Sequence, residues 1–166
     1  MTLAFSDRID VALVVNGEPV EARVPAGQHL VDFLRLELGL TGAHASCEHG
    51  VCGACTVRVD GQAVRGCLML AAQADGADVW TVEGLTEAGG SADLQAAFVD
   101  RNALQCGFCT PGMIVAAEDL LARGGVPARA EIRAHLSGNY CRCTGYEAIV
   151  DAVEQVARTR AGKGTA

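Results

Sequence analysis

Cysteine is the residue whose type and spacing can do chemistry in this sequence. There are eight, in two groups of four: Cys47, Cys52, Cys55 and Cys67 in the first half, and Cys106, Cys109, Cys141 and Cys143 in the second. Thiolates are soft ligands that suit zinc and iron–sulfur units. An even count would also serve disulfides, but only in an oxidising compartment. The stretch Met1 to Asp10 lacks a basic segment followed by an apolar one, so no secretory signal is expected and a cytoplasmic setting is. In that setting the cysteines are read as ligands to a metal or cluster.

The first group has the spacing Cys47-x4-Cys52-x2-Cys55 with Cys67 further on, the plant-type ferredoxin pattern for a [2Fe–2S] cluster. Gly50 and Gly53 lie between ligands, where a loop must bend around a cluster with its amides turned toward sulfur. The fourth ligand follows from register. If Asp60-Gly61 is a two-residue turn, Val59 faces Gln62, and continuing the ladder sets Cys67 opposite Ala54, beside Cys55. Zinc is the rival, but its motifs usually pair two short Cys-x2-4-Cys elements, whereas here three ligands share one loop. His49 lies inside that loop. Four cysteines already complete the site, so it is read as facing solvent; His29, His44 and His135 are scattered and read as structural or exposed.

The second group is Cys106-x2-Cys109 and Cys141-x-Cys143, each just ahead of an expected helix. Two loops at helix N-termini would converge, and the positive helix ends favour a negative cluster. Spacing alone leaves zinc open here.

The elements that must position these ligands divide the chain. In the first half Val11, Leu13 and Val15 alternate, Asn16-Gly17 turns, and Val20, Ala22 and Val24 alternate back. Leu30, Phe33, Leu34 and Leu38 share one helical face, with Gly39 suited to ending the helix. Thr56 to Val59 and Gln62 to Leu68 read as a second hairpin, and Asp78 to Val82 as a last strand. A small mixed sheet with one helix fits this order. Glu83 to Ser91 reads as a linker. Four helices follow, on the apolar stripes Leu94/Ala97/Phe98, Met113 to Leu121, Ile132/Leu136 and Ala148 to Val156. Ser91 is a possible cap, Pro127 suits a first helical turn, Gly138 suits a helix end, and the tail from Ala161 is expected to fray.

Composition excludes some classes. Half of the residues are hydrophobic, enough for a packed core, and the net charge is −7 with Lys163 the only lysine. An acidic chain without a basic stripe is a poor nucleic-acid binder. No apolar run reaches the length of a membrane span. No Ser/His/Asp arrangement, nucleotide-binding glycine loop or paired carboxylates can be placed together.

Three stretches closely resemble the small iron–sulfur subunit of the molybdenum hydroxylases, the xanthine dehydrogenase and carbon monoxide dehydrogenase family. They are Cys47-Glu-His-Gly-Val-Cys-Gly-Ala-Cys-Thr56, Gln105-Cys-Gly-Phe-Cys-Thr-Pro-Gly112 and Asn139-Tyr-Cys-Arg-Cys-Thr-Gly-Tyr146. The resemblance runs from about Asp10 to Arg158. It implies an α+β chain: an N-terminal β-grasp, plant-type ferredoxin domain over 8–84, then an all-α four-helix [2Fe–2S]-binding domain over 90–160. It makes both cysteine quartets cluster ligands. It also implies a large molybdopterin subunit and a medium FAD subunit as partners, in a heterotrimer or its dimer. Electrons would run from molybdenum through the helical-domain cluster, then the ferredoxin-like cluster, to FAD. Residues matching Gln105 and Cys143 approach the pterin in the family. Arg142, between two ligands, faces either the cofactor or water. The segment Thr41-Gly-Ala-His-Ala-Ser46 departs from the lysine- and glycine-bearing versions common in the family, which bears on tuning of the first cluster. The expected role is electron transfer inside an oxidoreductase complex. The rival readings are a free-standing ferredoxin and a zinc-stapled interaction module.

Overall fold

The computed structural model describes residues 7–163. Most of the Met1–Asp10 stretch lies outside the described residues, as do the last three positions of the tail.

Strands β1 (Arg8–Val15) and β2 (Glu18–Pro25) form an antiparallel hairpin with Val11 opposite Ala22 and Leu13 opposite Val20. Its turn is Asn16-Gly17, both at positive φ (53° and 85°), the mirror-image geometry that matches strand twist. Strands β3 (Thr56–Val59) and β4 (Gln62–Arg65) repeat the device at Asp60-Gly61, with Val59 opposite Gln62 as the sequence predicts. A short β5 (Asp78–Trp80) completes a five-stranded sheet in the order β2-β1-β5-β3-β4, parallel only where β1 meets β5.

One helix crosses this sheet. It opens as α1 (Leu30–Asp32) and widens into a π-helical stretch, Phe33–Glu37, closed by Leu38 N–H donating to Phe33 O at 3.3 Å. Leu30, Val31, Phe33 and Leu34 are buried against Val11, Leu13, Val57 and Val79. The orphan amides at the helix start find partners in the turn after β4: Leu30 N–H donates to Met69 O and Val31 N–H to Gly66 O. The core helix thereby fixes the turn that bears Cys67.

The rest is helical: α2 (Val82–Glu87), α3 (Ala92–Asp100), α4 (Thr110–Leu121), α5 (Arg129–Leu136) and α6 (Glu147–Lys163). The predicted stripes Leu94/Phe98, Met113/Ala117/Leu120, Ile132/Leu136 and Ile149/Val153/Val156 meet in a second core.

Several expectations are corrected. The strand read through Leu68 ends at Arg65, where the chain turns to cap α1. The strand read through Val82 ends at Trp80, and the stretch read as a linker contains α2. Asn16 organises that helix start, receiving Thr81 N–H on Oδ1 at 2.8 Å and donating Nδ2–H to Thr81 Oγ1 at 3.0 Å. Ser91 makes no side-chain cap, and its buried hydroxyl has no partner. Pro127 precedes α5 instead of opening it. Gly138 does stand just past the end of α5, as expected, though without a positive φ; its missing Cβ admits the Arg65 guanidinium, which would stand 2.6 Å from one. The tail continues α6 as far as Lys163. Among the described residues, no helix is long and apolar enough to cross a membrane.

Candidate metal centres

The first quartet sits on the irregular stretch 41–55 and the turn after β4. Glu48, Gly50 and Gly53 take positive φ (55°, 83° and 74°), which doubles the chain back between ligands. Cys52 N–H points at Cys47 Sγ, 3.4 Å away. Past the Thr56–Arg65 rung, Gly66 N–H donates to Cys55 O at 3.1 Å, which delivers Cys67 beside Cys55. Cys55 and Cys67 are buried; Cys47 and Cys52 are half-buried.

The second quartet joins the loop ahead of α4 to the loop ahead of α6. Cys106 and Cys143 sulfurs stand 3.6 Å apart on the exposed side. Cys109 and Cys141 are half-buried and adjacent. Thr144 aims its amide (3.4 Å) and hydroxyl (3.1 Å) at Cys141 Sγ. Gln105 Nε2–H donates to Cys143 O at 3.0 Å, tying the two loops together.

The electrostatics follow the environment. Hydrogen bonds from the Cys52 and His49 amides hold the Cys47 thiol down at about 6. Burial pushes Cys55 and Cys109 up to about 12. Burial also works against ionising Cys141, but hydrogen bonds from Thr144, the Cys143 amide and Cys109 together leave that thiol below its usual range. The neighbouring Cys106 raises Cys143. Each quartet therefore pairs a sulfur whose thiolate is favoured by hydrogen bonds, Cys47 or Cys141, with one whose thiolate is disfavoured by burial, Cys55 or Cys109.

The thiols come as four neighbouring pairs: 47 with 52, 55 with 67, 106 with 143, and 109 with 141. Among the described residues, no three or more His, Cys, Asp or Glu side chains share a single-ion position. A structural zinc asks for four ligands on one ion, whereas a two-iron cluster with four protein ligands takes two on each iron. Paired sulfurs with amides directed at them are a donor set that could hold the second kind of group.

The structure also brings in residues that spacing did not single out. Asn139 is 2% exposed. Its Nδ2 donates toward Gly53 O (3.1 Å), Gly112 O (3.0 Å) and Thr56 Oγ1 (3.2 Å). Arg65 donates to Thr56 Oγ1 (2.6 Å), Gly138 O (2.7 Å) and Asn139 Oδ1 (3.2 Å). Tyr140 N–H donates to Cys52 O at 2.8 Å, a main-chain link between the two quartets. On the outer side, His44 Nδ1 bonds Phe108 O at 2.7 Å, and the two rings stack 4.5 Å apart. His44 is thus a bridge between the ligand loops, while His49 is exposed and bonds Cys47 O. His135 is structural, against Ala116 O and Asp119. Arg142 is exposed. Asn139 stands inside a motif already singled out, but its acceptors lie far away in sequence, and no local signal marks them.

A profile described as "2Fe-2S iron-sulfur cluster binding domain" matches residues 13–85, and one described as "[2Fe-2S] binding domain" matches 81–154. The chain is 48% identical over 152 residues to the caffeine dehydrogenase subunit gamma of Pseudomonas sp. (strain CBB1), covering 90% of this chain and 91% of that protein. It is 43% identical to the xanthine dehydrogenase iron-sulfur-binding subunit of Escherichia coli O157:H7, covering 93% and 98%. Among solved structures, quinoline 2-oxidoreductase from Pseudomonas putida 86 superposes with a TM-score of 0.89 at 45% identity, covering 96% of this chain and 98% of that one. Aldehyde oxidoreductase from Desulfovibrio gigas gives 0.86 at 43% identity, covering 93% of this chain and 17% of that longer one.

Proposed function

Because this chain belongs to the small [2Fe–2S] iron–sulfur subunits of the molybdenum hydroxylase family, we propose that it relays electrons from a molybdopterin cofactor in a large subunit, through two [2Fe–2S] clusters, to FAD in a medium subunit. When bound, the clusters supply one-electron transfer. The protein supplies their ligands, their spacing and the hydrogen bonds that set their potentials. The observation that carries this reading is the assembly of eight thiols into two quartets of paired sulfurs.

On this reading Cys47, Cys52, Cys55 and Cys67 hold the first cluster, within a unit spanning 8–84. Cys106, Cys109, Cys141 and Cys143 hold the second, within a unit spanning 90–160. The exposed Cys106/Cys143 edge is where the molybdopterin subunit docks. Gln105 and Cys143 face the pterin there, with Gln105 already oriented by its bond to Cys143 O. The complex is a heterotrimer or its dimer, placed in the cytoplasm, where free thiols stay reduced. Relatives named for caffeine, nicotine and xanthine make a nitrogen heterocycle the first substrate class to try.

Purification of the native complex tests the proposal. A molybdopterin subunit and a flavin subunit should accompany this chain, and substrate should bleach the iron–sulfur absorbance. Isolation of the chain alone, fully loaded and reduced only by a diffusible reductase, would contradict it. Gln105→Ala should slow cluster reduction by the large subunit while iron content stays at the wild-type level. An unchanged rate would remove the pterin assignment.

A further inference from the structure

Two cores meet in this chain, and a buried polar network joins them. Every member of it lies within three residues of a ligand cysteine: Gly53 follows Cys52, Thr56 follows Cys55, Arg65 precedes Cys67, Gly112 follows Cys109, and Gly138 and Asn139 precede Cys141. A network that merely fastened two domains could sit anywhere in their contact. This one reaches the segments at Cys52, Cys55, Cys67, Cys109 and Cys141, and leaves out Cys47, Cys106 and Cys143.

The packing leaves no freedom there. A Cβ at Gly112 would stand 2.3 Å from Gly53 O, and one at Gly53 would stand 2.6 Å from Gly138 O. Two loops and the first turn of α4 thus meet backbone to backbone, and their buried carbonyls need donors; Gly53 O takes two from its own segment, Thr56 N–H (3.2 Å) and Thr56 Oγ1–H (2.6 Å). Asn139 supplies donors to two of those carbonyls and an acceptor to Arg65. Arg65 in turn holds the carbonyl of the residue before Asn139.

We propose that Asn139, held by Arg65, is the positioning residue that sets the separation and relative orientation of the two clusters, and with them the rate of electron passage from one to the other. The proposal rests on the two-cluster reading above. Tunnelling falls steeply with distance, so a clamp at the shared face of both loops acts on the relay without touching a cluster. A cavity or a loose loop at this point would change the spacing while leaving every ligand in place.

The test uses the full chain carrying its clusters, as wild type, Asn139→Ala and Arg65→Lys. Iron and sulfide are counted first. Two irons from each of the two 2Fe-2S domains, four per chain, support the underlying reading, and two per chain would defeat it independently of Asn139. EPR of the fully reduced protein then reads the spin–spin splitting between clusters, which varies with the inverse cube of their separation. Flash reduction reads the transfer rate. Loaded Asn139→Ala should lose the resolved splitting and transfer electrons more slowly, while each cluster keeps its own signal. Arg65→Lys should shift both in the same direction by less, because an ammonium is a point donor and cannot fork between Thr56 and Gly138. Wild-type splitting and rate in loaded Asn139→Ala would overturn the proposal. Should that variant fail to load, Arg65→Lys decides by the same two readings.

Discussion

At Gly112 a single methyl group would collide with the carbonyl of Gly53, 2.3 Å from the ideal Cβ position. Gly112→Ala should therefore cost about 1–3 kcal/mol, the range for overpacking a filled interior, and lower the melting temperature of the loaded protein. Gly27→Ala, with nothing within 4 Å of the new Cβ and no positive φ, is the control. Equal melting temperatures for the two variants would show that the start of α4 and the Gly53 loop have room to separate. The thiols that the structure gathers into two quartets were legible in sequence, because cluster chemistry demands one residue type at set intervals. Cys52→Ser should abolish one EPR signal and spare the other; loss of both would mean that the two halves fold only as a unit. Asn139 and Arg65 were not legible in the same way. An amide or guanidinium takes its role from acceptors that the fold brings close, and here Asn139 reaches back to Gly53 and Gly112.

Among the elements, the hairpin turns were readable to the residue, since Asn16-Gly17 and Asp60-Gly61 adopt the paired positive φ that such dipeptides favour. The π-helical widening at Phe33–Glu37 was not, because Leu30, Phe33, Leu34 and Leu38 have ordinary helical spacing. Helix α2 was hidden in a glycine-bearing stretch, and its start depends on Asn16, a long-range partner. Helix α6 is held by ion pairs that make its docking acid-sensitive. Arg160 holds Asp93 below the usual carboxylate range, Arg133 does the same for Glu147, and Arg129 for Glu154. A carboxylate depressed on folding stabilises the fold above its unfolded pKa of about 4, and that contribution is lost as pH falls through the lower folded value. The melting temperature should thus fall as pH is taken from about 5 to about 3. Arg160→Gln should flatten part of that fall, modestly because these side chains are 31% and 41% exposed and screened by solvent. An unchanged acid slope in Arg160→Gln would contradict the assignment of Asp93.

For the whole molecule, two cores were foreseeable from the switch between strand-like and helical periodicity near the middle of the chain. Their mutual placement was not, since it is made by main-chain carbonyls, close-packed glycines and side chains such as Asn139, Arg65 and His44 whose partners lie far away in sequence. That contact brings Cys52 O onto the amide of Tyr140, the residue before Cys141. A carrier with one site would need no such joint, whereas the relay we propose would depend on it. Metal and sulfide analysis of the native chain, paired with EPR after full reduction, tests the central claim most directly. The account predicts four irons and four labile sulfides per chain, two for each 2Fe-2S domain, and two distinct reduced signals. A folded protein holding zinc, or two irons with a single signal, would contradict it.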